Sequence, residues 1–120
     1  MQRKKIVRIG NASGYWGDDP SALKRQVEHG NLDYITMDFL AEITMSILQK
    51  QYERNPELGY ARDFVGILTQ SLPQILTKKI KVISNAGGIN PVACAKAIEK
   101  IAHTQGLKPK IAIVMGDNIL

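Results

Sequence analysis

The sequence predicts an α/β fold: a four-stranded, mainly parallel sheet with helices on both faces. Two observations carry that prediction. Segments rich in β-branched residues alternate with segments whose apolar residues recur at helical spacing. Two of the strand-like segments also run through glycine-rich turns into a cap residue and a proline, at Asp19-Pro20 and at Asn90-Pro91. A capping side chain followed by proline at the first helical position starts a helix. The strand order 2-1-3-4 is preferred, because the first crossover is short and the first turn is glycine-rich. A sequential order would instead suggest half of a barrel.

The elements follow in order. Lys5 to Gly10 reads as a first strand buried on both faces, with Arg8 as the exception. The loop from Gly10 to Pro20 holds three glycines and the only tryptophan, Trp16. Its spacing matches neither a phosphate-binding P-loop nor a dinucleotide fingerprint. A helix from Pro20 turns Leu23 and Val27 inward and ends near Gly30. Leu32 to Phe39 is a second strand. Leu40, Ile43, Ile47 and Leu48 form the inward stripe of the next helix. Asn55 to Gly59 breaks the pattern. The helix from about Ala61 contains Pro73, which predicts a kink or break. Lys81 to Ser84 is the third strand, and the turn Asn85-Ala86-Gly87-Gly88-Ile89 leads to the helix from Pro91. Lys110 to Met115 is the expected fourth strand.

The 120 residues suit one domain, 1–120, large enough for a real core. No apolar run reaches membrane-spanning length, and the basic start Met-Gln-Arg-Lys-Lys lacks the apolar stretch of a signal peptide. A single cysteine, Cys94, excludes an intramolecular disulfide, so a reducing, cytoplasmic setting is expected. The net charge of +5 would favour an anionic small molecule. The basic residues are scattered and lack interleaved aromatics, which argues against nucleic acid.

In open parallel sheets, ligands bind outside the carboxyl ends of the strands. The candidate ligand-binding residues at those ends are Asn11, Ser13, Trp16, Asp38, Asn85, Gly87, Gly88, Asn90 and Asp117. Each has a structural alternative. Asp19 and Asn90 can cap helices, the glycines can shape a turn, and Trp16 can anchor its loop. Asp38 ends an apolar strand, where a carboxylate needs a partner or a ligand. Asp18, Asp38, Glu42 and Asp117 would be the acids available to a hard cation such as Mg²⁺. Cys94 reads as core, and no catalytic triad or metal-ligand spacing is present in the sequence.

Several blocks together resemble a known family. They are Gly10-Asn11-Ala12-Ser13-Gly14-Tyr15-Trp16-Gly17-Asp18, Leu32-Asp33-Tyr34, Asp38 to Met45, Gly59 to Phe64, Asn85 to Pro91 and Gly116-Asp117-Asn118. In this order they resemble the N-terminal part of the acyclic terpene utilisation family, AtuA. Asn118 departs from the pattern, where members often carry a second acid. The family's proteins are several times longer than this chain, so the resemblance implies a fragment or a separately encoded N-terminal piece. It also implies a place in bacterial breakdown of compounds such as citronellol and geraniol, a route that runs through acyl-CoA thioesters. The expected ligand is therefore acyl-CoA-like or a carboxylate, held by glycine-turn N–H groups with Trp16 over an acyl tail. The expected macromolecular partner is the remainder of the chain or a second copy. The alternative reading is a non-catalytic assembly module of a terpene-degrading complex. The resemblance assigns no catalytic residue and no cofactor.

Overall fold

A computed structural model describes residues 6–116. Three strands form one parallel sheet: β1 (Ile9–Ser13), β2 (Tyr34–Met37) and β3 (Lys81–Ser84). The helices are α1 (Ala22–His29), α2 (Glu42–Arg54), α3 (Arg62–Thr77) and α4 (Pro91–Thr104). None is long and apolar enough to cross a membrane.

The α/β class is as expected, but the sheet differs from the expectation in number, order and cover. The order is β1-β2-β3, so each strand lies beside its neighbour in sequence, and the winding is not 2-1-3-4. The register aligns Gly10, Ile35 and Val82 in one row and Ile9, Tyr34 and Lys81 in the next. Because side chains alternate along a strand, these two rows face opposite sides. The Gly10 row is covered: Ile35 is fully buried, Val82 packs on the core, and a side chain on Gly10 would collide with Gln26 and Leu32. The other side is bare among the described residues, with Ile9 64% and Ile83 57% exposed. Helices α1, α3 and α4 pack in a row, α1 on α3 and α3 on α4. Helices α1, α3 and α4 thus sit along one face, and not on both. A short crossover and a glycine turn do not fix the direction of winding. Which helices lie side by side fixes it, and that is set by long-range packing.

The fourth strand is also absent among the described residues. Ile111 touches the core, but residues 107–116 form no ladder, and Val114 is 93% exposed. An apolar run has strand propensity, but it becomes a strand only with a pairing partner and cover.

Local signals were truer, with shifts at the ends. Helix α1 starts at Ala22 with Ser21 at its N-cap, two residues after the expected Asp19-Pro20 start. At its other end Gly30 is right-handed, and Asn31 takes the left-handed backbone with φ 48°. Lys78 donates to the carbonyls of Val27 at 2.7 Å and Glu28 at 3.1 Å, placing a cation at the C-terminus of α1. Helix α3 passes Pro73 without a break. The core comprises Leu23 and Val27 of α1, Ile35 of β2, Phe64, Val65, Leu68 and Ile75 of α3, and Ile98 of α4. Leu23, Val27, Ile35 and Leu48 are fully enclosed, and each contributes about 1.5–3 kcal/mol on burial. Helix α2 breaks its expected stripe: only Leu48 is buried, while Ile43 is 76% exposed.

Candidate functional site

The strands end together. Ser13, Met37 and Ser84 are level in the register, and a shift between Asn11 and Ser13 marks an irregularity in β1. The chain beyond each strand is then stitched to its neighbour. The Asp38 amide donates to the Ser13 carbonyl at 2.9 Å. The Ser13 hydroxyl donates to the carbonyls of Tyr15 at 3.0 Å and Asp38 at 3.1 Å. The Asn85 amide nitrogen donates to the Asp38 carboxylate at 2.7 Å, and its oxygen accepts from the Phe39 N–H at 2.8 Å. Asp38 is exposed and also accepts from the Leu40 N–H at 3.2 Å. The partner that its position demands is Asn85.

Beside this seam, a cleft of about 270 Å³ opens between the first loop and α3. Its floor is apolar: Ala12, Met37 and Phe39 are buried, and Ile67 is half-buried. Phe39 is held edge-on against Phe64, with ring centroids 5.6 Å apart. Its rim is acidic, carrying Asp18, Asp19 and Asp63, and no lysine or arginine among the described residues lines it.

The three acids differ in engagement. Asp19 accepts from the Ser21 hydroxyl at 2.7 Å and the Ser21 N–H at 2.9 Å, and pairs with Arg25 at 2.9 Å. The Ser21 hydroxyl, then the Ser21 N–H, then Arg25 hold its carboxyl down at about 2. Asp18 accepts from the N–H groups of Gly14 at 2.9 Å and Asp19 at 2.7 Å, which folds the loop onto itself. The Asp63 side chain makes no hydrogen bond or ion pair among the described residues. Asp63 and Ile67 are four apart on α3, which sets both on one helix face.

The glycine turn has a different use. Gly88 is left-handed, with φ 58°. A side chain there would come within 2.6 Å of Leu48 and 2.7 Å of the Gly59 carbonyl. The N–H groups of Ala86, Gly88, Ile89 and Asn90 donate to Ser84, Asn85, Gly59 and Gly87 respectively. A side chain on Gly87 would meet Pro91 at 2.8 Å. Asn90 caps α4 through the Ala93 N–H at 3.3 Å, and its amide donates to Pro56 and Leu58 at 2.8 Å each. These residues bind the turn to the α2–α3 connection.

Of the sequence-predicted set, Ser13 lines the cleft, and Asp38 and Asn85 form the seam beside it. Asn11 is exposed; its side chain accepts from the Ser13 N–H at 3.1 Å and its carbonyl from Gln26 at 2.6 Å. Trp16 is half-buried and packs on the core, as an anchor does. Glu42 is exposed in the first turn of α2. Asp117 lies outside the described residues. No group of acids, histidines or cysteines among the described residues could hold a metal ion. Cys94 is buried, and burial pushes its thiol up to about 11, so it is a neutral core group. Sequence reasoning missed Met37, Phe39, Asp63 and Ile67. The four-residue spacing of Asp63 and Ile67 was readable, but their closeness to the first loop was not.

Fold and cleft define a parallel α/β protein with a small-molecule-sized hollow at the carboxyl ends of its strands. The chain belongs to the acyclic terpene utilisation family, AtuA, whose family model matches residues 7–120. Comparison with curated proteins and with solved structures found no match.

Proposed function

We propose that the chain serves the breakdown of acyclic terpenes or related branched acyl compounds, and that it seats an aliphatic ligand in the cleft. The observation that carries this reading is the buried apolar floor of Ala12, Met37 and Phe39 at the carboxyl edge of the sheet. Family membership supplies the pathway, and the floor supplies a surface for a branched chain. An acyl-CoA thioester or a carboxylate would bury its chain there and keep its anionic end beyond the acidic rim. A cytoplasmic setting belongs to the same proposal. The test is a thermal-shift screen against branched acyl-CoA thioesters, the free acids and the matching alcohols, with and without Mg²⁺. A rise in melting temperature with any of them supports a binding role. No rise with any compound counts against it.

The bare sheet face favours a second reading, an assembly module. Parallel sheets are generally covered on both faces, and here Ile9 and Ile83 are exposed on one of them. Association that hides this face, with no response to any ligand, would favour assembly over binding.

A further inference from the structure

We draw no further inference here: the strongest candidate, the helix-free face of the sheet that carries Ile9, Tyr34 and Ile83, is an unpartnered surface, and nothing in the structure shows what covers it.

Discussion

The side-chain amide of Gln105, just past α4, donates at 2.9 Å to the Thr69 carbonyl inside α3. Four residues on from Thr69 stands Pro73, which has no N–H to give that carbonyl its usual helical partner. Helix α3 thus carries a proline without a break because α4 lends it a donor. The Thr69 hydroxyl meanwhile caps the Val65 carbonyl at 2.7 Å. Gln105→Ala should cost about 1–2 kcal/mol, since it leaves a partly buried acceptor unmatched. In a Pro73→Ala background the restored N–H takes over, and the same substitution should cost markedly less. Urea unfolding of the four proteins in the cycle measures the coupling. Equal losses in both backgrounds would show that Gln105 acts elsewhere.

The Gly88 turn should fail through folding. A methyl group at this left-handed residue would press on Leu48 and on the Gly59 carbonyl. Gly88→Ala is expected to destabilise by about 1–3 kcal/mol, from backbone strain together with the clash. Denaturant midpoints check the value. In a Leu48→Ala background, itself destabilised by the lost burial, Gly88→Ala should cost less than in the native chain, since one of the two obstructing groups is gone.

The Asp19 carboxyl should titrate near 2, against an ordinary value of 3.8. Its folded value is depressed, so its contribution to stability is present above 3.8 and is lost as pH falls through about 2. The group is exposed, so the effect on global stability is small. Carbon-detected NMR titration gives the midpoint directly. Ser21→Ala should raise it more than Arg25→Ala, because the serine hydroxyl is the largest contributor.

Helix signals were the most legible part of the sequence, because they are local. Asn90 followed by Pro91 marked the start of α4, and the Asn90 side chain does cap it. Lys81 to Ser84 marked β3 to the residue. Strand order and cover were not legible, because they depend on contacts such as α1 with α3 that no short window contains. The same division holds for the site. In the sequence Asp38 ends an apolar strand and needs a partner, and Asn85 ends the next strand-like segment. Their pairing became visible only when β2 and β3 were brought side by side. The Asp63–Ile67 wall of the cleft was hidden for the same reason, since it reaches the first loop across the fold.

The bare sheet face makes the last prediction. Ile9 and Ile83 lie on opposite edge strands but project to the same side, away from the helices. Between them lie Tyr34 and Thr36 of the central strand, both only half-buried. The face also carries Asn11, Thr36 and Lys81, whose ammonium lies 5.8 Å from the Tyr34 ring centroid. The exposed Ile9 and Ile83 side chains still lose about 25 cal/mol of favourable burial for each Å² left in water. Contact with any complementary apolar surface is therefore favoured, and the chain should associate as its concentration rises. Sedimentation velocity over a concentration series measures this. Replacing Ile9 and Ile83 by serine should reduce association and change the unfolding free energy by less than about 1 kcal/mol, because neither side chain is in the core. Ile35→Ser on the covered side serves as the contrast, with an expected loss of about 2–5 kcal/mol. A chain that stays monomeric at all concentrations, with Ile9→Ser and Ile83→Ser as costly as Ile35→Ser, would mean that the face is already covered in solution.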